Sequence, residues 1–190
     1  MRVRASVLTG HSGRGLWLMT FHAACARILR RDGQALGYTP TFTIYDTADS
    51  RRVIKRLVGA ETGEDSEQSG GVRGVRAAIS AAKTQMLSLE QWLSQQTHPD
   101  PAGTAETTAR VWREYDAELR RANALDFDDL LLATHRLLAE HPEIGEQYRQ
   151  RFAHVLVDEY QDTTHAQYQL LKQLVLSTSC SSSSSDASAT

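Results

Sequence analysis

The apolar run Val155-Leu156-Val157 ends directly on Asp158-Glu159-Tyr160-Gln161-Asp162-Thr163. Valines on either side of a leucine suit a strand buried on both faces, the kind that parallel sheets use. Two adjacent carboxylates after it would then stand at the carboxyl edge, where open α/β sheets bind their ligands. The expectation is an α/β fold that delivers acids to a sheet edge. Two acids after a strand also serve as a helix cap or a solvated loop. Here four further residues extend the string, and Thr164-x-x-Gln167 offers a capping box for the next helix.

A chain of 190 residues accommodates one ordinary domain or two small ones. Its 41% apolar and 23% charged residues match a soluble globular protein. No stretch approaches 18 uncharged apolar residues, so no membrane span is expected. The start, Met1-Arg2-Val3-Arg4, lacks a signal peptide's apolar core. Cys25 and Cys180 form no disulfide or zinc pattern. Together these features point to the cytoplasm. The net charge of −2 hides an asymmetry: residues 1–60 hold ten Lys/Arg against three Asp/Glu, and residues 61–190 hold eleven against twenty. Arg30-Arg31, Arg51-Arg52 and Lys55-Arg56 could neutralise phosphates or simply form solvated helix faces.

Along the chain, Leu16-Trp17-Leu18-Met19 reads as a short strand. A helix follows from about Phe21 and is stopped by Gly33 and Gly37. Thr41–Tyr45 is a second extended run, and Asp46 caps a helix with the stripe Val53, Ile54, Leu57 and Val58, ended by Gly59. After an acidic loop at 59–71, helical spacing runs from Val72 to about Gln96, then from about Glu106 to Ala122. Asp126 caps a helix through Phe127, Leu130, Leu131, Thr134 and Leu138, and the strand into Asp158 comes next. From Ser177 onward all apolar periodicity is lost, which predicts disorder. Trp17, Trp92, Trp112 and Phe127 sit in apolar stripes and are expected to be core.

A strand followed by Asp-Glu is the Walker B arrangement of P-loop nucleotidases. There the first acid holds Mg²⁺ and its neighbour orients or deprotonates the attacking water. Yet no G-x-x-x-x-G-K-[ST] occurs in the 190 residues. Gly10-His11-Ser12-Gly13-Arg14-Gly15 has no following Lys-Ser/Thr and reads as a loop.

Four segments in one order resemble the UvrD/PcrA/Rep-type superfamily 1 ATP-dependent DNA helicases. The Asp158–Thr163 string is similar to that family's Asp-Glu-(Tyr/Phe)-Gln-Asp-Thr. Thr20-Phe21-His22 and the helix behind it are similar to its Thr-Phe-His motif. Phe42-Thr43-Ile44-Tyr45-Asp46 resembles the entry to its subdomain 1B, and Ala124–Leu131 resembles the helix returning to subdomain 1A.

The resemblance implies a partial RecA-like P-loop NTPase subdomain (1A) with an inserted α-helical subdomain (1B). Residues 1–40 and 126–176 would be 1A and residues 41–125 would be 1B, while composition alone makes 177–190 a disordered Ser-rich tail. It implies a 3′-to-5′ single-stranded DNA translocase and unwinding enzyme of DNA repair or replication. ATP and Mg²⁺ would be its cofactors, and single-stranded and forked DNA its partners. Asp158 would hold Mg²⁺ and Glu159 would be the catalytic base. Gln161 and Asp162 would couple nucleotide state to neighbouring motifs, and Thr20, Phe21 and His22 would lie by the DNA. Taken singly, His22 could be a helix-start histidine, Phe21 core, and Asp126 first a cap.

Three parts of the family's pattern do not occur: the P-loop, the glutamine motif after the Walker B helix, and the second RecA-like domain with its arginine fingers. Without them Asp158 has no phosphate to share Mg²⁺ with, and Glu159 faces no oriented phosphorus. The polypeptide alone is therefore expected to be inactive. The alternatives are a non-catalytic DNA- or partner-binding module and a relative of the helicase–nuclease subunits.

Overall fold

The computed structural model describes residues 16–62, 71–96 and 103–175. The loop at Gly10–Gly15, most of the acidic loop and the serine-rich tail lie outside the described residues. The elements run α1 (Phe21–Asp32), a 3₁₀ turn (Gly33–Leu36), β1 (Thr43–Ile44), α2 (Thr47–Thr62), α3 (Gly71–Thr84), α4 (Leu89–Ser94) and α5 (Thr104–Arg121). They continue with β2 (Ala124–Leu125), α6 (Phe127–Glu140), α7 (Pro142–Arg151), a 3₁₀ turn (Tyr160–Asp162) and α8 (His165–Val175). The fold is helix-rich with a small parallel sheet, consistent with the α/β expectation.

Side-chain caps set most of the helix starts. Thr20 Oγ1 accepts the Ala23 N–H at 3.3 Å and opens α1. Asp46 Oδ1 accepts from Ala48 and Asp49 at 2.7 and 2.8 Å and opens α2. Asp126 and Asp129 form a reciprocal capping box at the head of α6, and Thr164 with Gln167 does the same for α8. After α1, Gly37 takes φ +85° to turn the chain toward β1, a conformation glycine adopts without Cβ strain.

β1 and β2 pair in parallel, Thr43 with Ala124 and Ile44 with Leu125, so the four helices α2–α5 form one long crossover between them. Successive strand side chains point to opposite faces. Ala124 accordingly enters a core with Val53, Ile54, Val58, Ile79, Val111, Trp112 and Tyr115. Leu125 enters a second core with Cys25, Ile28, Leu29, Phe42, Leu130, Leu137, Tyr148 and Leu170. The two-residue strand is a seam between an α2–α5 core and an α1–α6–α7–α8 core.

Several expectations are corrected. The strands at Leu16–Met19 and Val155–Val157 are not formed. A strand persists only where its peptide groups join a ladder. Among the described residues no strand lies beside Val155–Val157, and Leu156 is 96% exposed. α2 runs past Gly59 to Thr62, because a lone glycine weakens a helix by only about 1 kcal/mol. The helix expected over 72–96 breaks after Thr84: Met86 takes φ +59°, and Ser88 opens α4 with its own capping box. α7 was not foreseen, although Pro142 stands at its first turn, where proline's missing N–H costs nothing. Phe127 is 45% exposed and not core, and Trp17 and Trp92 are half-buried, whereas Trp112 is buried.

Candidate functional site

Asp158 and Glu159 occupy a tight exposed turn between the extended segment at 155–157 and α8. Asp158 Oδ1 accepts the Glu159 N–H at 3.1 Å. Glu159 adopts φ +51°, ψ +44°, a left-handed conformation that costs a non-glycine residue on the order of 1 kcal/mol. Its carbonyl accepts the Asp162 N–H at 2.9 Å, which closes the 3₁₀ turn, and its carboxylate accepts from the Gln161 side-chain amide. Asp158, Glu159, Gln161 and Asp162 are all exposed. The turn is anchored from behind, since Ala166 and Leu170 of α8 are buried against the α6 core.

Thr20, Phe21 and His22 lie at the start of α1. Thr20 is exposed and engaged as the cap, Phe21 is half-buried against the core, and His22 sets its ring edge-on to Phe127, 5.3 Å between centroids. Among the described residues no hydrogen bond, ion pair or ring contact joins this trio to Asp158–Asp162. The two groups are linked through α6, against which both α1 and α8 pack.

Asp158 can offer Mg²⁺ a hard carboxylate oxygen. Among the described residues, however, no three His, Cys, Asp or Glu side chains converge to hold a metal. Magnesium commonly takes one or two protein carboxylates and completes its shell with phosphate oxygens and water. The residues present fit an ion shared with a triphosphate and do not fit a free ion.

A polar centre that sequence reasoning missed lies between the two cores. Lys83 of α3 is 2% exposed. Its ammonium reaches Asp129 Oδ1 at 2.7 Å, Asp116 Oδ1 at 3.1 Å and Asp126 Oδ2 at 3.3 Å. The Tyr115 hydroxyl donates to Asp126 Oδ2 at 3.1 Å and lies 2.9 Å from Ser50 Oγ, while Ser80 Oγ donates to Asp128 Oδ2 at 2.6 Å. Burial opposes the ammonium charge, but the carboxylates of Asp129, Asp126 and Asp116 outweigh it and hold Lys83 well above the usual lysine range. Burial, reinforced by Asp126 and Asp116, pushes Asp129 up to about 7 against the pull of Lys83. Asp128 is likewise raised, chiefly by burial. The available signal was the α3 stripe Val72, Val75, Ile79: one helical turn beyond Ile79, the inward position is a lysine.

A cavity beside this centre is lined by Tyr45, Thr47, Ser50, Arg76, Phe127 and Asp128, among others. It opens where the heads of α2 and α6 meet. No described helix is long and apolar enough to cross a membrane.

Residues 1–182 match the model of the UvrD/REP helicase N-terminal domain. The chain is 44% identical over 177 residues to ATP-dependent DNA helicase UvrD1 of Mycobacterium leprae, covering 92% of this chain and 22% of that protein. Against ATP-dependent DNA helicase PcrA of Leuconostoc citreum the identity is 39% over 175 residues, and against PcrA of Bacillus subtilis 36% over 176, each covering 92% of this chain and 23% of the relative. The chain therefore spans about a fifth of the length of the curated relatives it matches.

Proposed function

Because the chain belongs to the UvrD/REP helicase N-terminal domain family, we propose that it forms the acid-bearing part of an ATP-driven, 3′-to-5′ DNA motor. In this reading residues 1–40 and 126–176 belong to subdomain 1A and residues 41–125 to subdomain 1B. Two apolar cores meeting at the β1–β2 seam support that division.

The observation that carries the reading is the exposed Asp158–Glu159 turn, held on a capped helix that packs into the core. When bound, ATP would supply the electrophilic phosphorus and Mg²⁺ would neutralise negative charge on the phosphate oxygens. Asp158 would hold the ion. Glu159 is the general base that accepts a proton from the attacking water, and the Gln161 amide on its carboxylate fixes the orientation of that base. Asp162 secures the turn through its backbone N–H. At the start of α1, which also packs on α6, Thr20 and His22 face the single strand, with Phe21 as their anchor in the core. A change of nucleotide state at the turn reaches them through α8, α6 and α1.

The acid pair works only beside a phosphate cradle, and no Walker A sequence lies in these 190 residues. Exposed Arg51, Arg52 and Arg56 on α2 support the second reading, a DNA-binding module without hydrolysis. The isolated chain is predicted to bind single-stranded oligonucleotide in a salt-sensitive manner, to bind less tightly as His22→Ala, and to release no phosphate from ATP. Fluorescence anisotropy and a phosphate-release assay check this. Hydrolysis that disappears in Glu159→Gln would refute the need for an outside cradle. Absence of binding at low salt would refute the DNA-facing role of Thr20 and His22.

A further inference from the structure

Lys83 belongs to the α2–α5 core by its backbone and to the α6 head by its charge. Its helix α3 contributes Val72, Val75, Ile79 and Ala82 to the first core. Of its three carboxylate partners, Asp116 is on α5, Asp126 is the N-cap of α6, and Asp129 is the third residue of that helix. The ammonium donates to Asp126 and Asp129 and pairs by charge with Asp116. Asp126 and Asp129 also cap each other's backbone, so the lysine grips the two residues that define where α6 begins. The next residue inward, Leu130, is buried in the second core, and Phe127 touches His22.

We infer that Lys83 is a three-way latch that makes the two apolar cores behave as one cooperative unit. The strand pairing at the seam is short, two residues from each of β1 and β2. A buried ion cluster adds little net stability compared with a well-packed apolar substitute, since desolvation offsets much of its attraction. What it does supply is directionality: the hydrogen bonds to Asp126 and Asp129 and the ion pair with Asp116 are satisfied together in one arrangement of α3, α5 and α6. The latch stands independently of the DNA reading. If that reading holds, the latch also keeps the His22–Phe127 pair in register with the helical block.

The chain carries its own reporters. Trp17 packs against the α1–α6–α7–α8 core, whereas Trp92 and Trp112 belong to the α2–α5 core and meet edge-on at 6.2 Å. The indole N–H signals of the ¹⁵N-labelled chain are followed through thermal unfolding. In the wild type, Trp17 is expected to share one midpoint with Trp92 and Trp112. In Lys83→Met the midpoints are expected to separate by about 5 °C or more, a shift well within reach of a local loss in a domain of this size. Should the bare charges left by that change prevent folding, Lys83→Met combined with Asp129→Asn removes one of them, and the same separation is expected. A shared midpoint in whichever variant folds, or separate midpoints in the wild type, overturns the latch.

Discussion

Leu156→Ser offers a sharp test of how the segment before the acid doublet sits in this chain. Leu156 is 96% exposed and its neighbour Val155 is 36% exposed, while Leu137 at the centre of the α6 core is fully buried. Fully burying a leucine is worth about 1.5–3 kcal/mol, so the few per cent of Leu156 that is covered amounts to about 0.1 kcal/mol. Leu156→Ser is expected to change stability by less than about 0.5 kcal/mol, as for surface positions generally. Leu137→Ala loses its transfer energy and leaves a cavity, at about 3–5 kcal/mol. With roughly 2–4 °C of Tm per kcal/mol for a domain of this size, the buried change lowers Tm by about 6–20 °C and the exposed one by about 2 °C at most. Urea titration and thermal melts of both variants provide the comparison. A loss of 2 kcal/mol or more in Leu156→Ser would mean that Val155–Val157 is a buried strand after all, and the argument from missing ladder partners would fail.

Two further outcomes follow from the Lys83 centre and the second core. Asp129 has a folded-state value near 7 against an ordinary value of 3.8, so the folded chain holds a proton there that the unfolded chain gives up. Its contribution is fully present below about pH 4 and is lost as pH rises through about 7. His135, whose value burial lowers, has the opposite slope near its ordinary 6.5, so the test is the difference between wild type and Asp129→Asn: the urea midpoint of the wild type should fall more between pH 5 and pH 7.5. Separately, Cys25 is buried and its thiol is pushed up to about 11 by burial. Thiol labelling at pH 8 should leave it unmodified in the native state and modify it in urea, and rapid native labelling would contradict the packing of α1.

Local rules and long-range ones left different traces in this sequence. Asp46, Asp126 and Thr164 were legible as caps because each acts within three residues of its partner. Lys83 was not, since its hydrogen-bond partners Asp126 and Asp129 lie 43 and 46 residues away and no local pattern pairs them. Val155–Val157 has the composition of a strand, but composition cannot supply the neighbouring ladder that makes one. The break at Met86 was masked by continuing apolar spacing through Leu89, although Ser88-x-x-Gln91 is itself a capping signature. Of the site, the acid doublet and the Thr20–His22 trio were visible as motifs. Their lack of direct contact, and the exposure of Phe127, depend on how α1 and α8 pack on α6 and could not be read from spacing.

The account turns on Glu159 serving as a general base once a phosphate cradle stands beside it. The direct measurement is DNA-stimulated ATP hydrolysis by a chimera in which this chain's residues replace the matching segment of Mycobacterium leprae UvrD1, to which they are 44% identical. Loss of a positioned general base typically costs 10²–10⁴-fold. The chimera is predicted to hydrolyse ATP and Glu159→Gln to reduce that rate by at least about 100-fold. A folded chimera whose rate is the same with Glu159 or Gln at this position would contradict the claim.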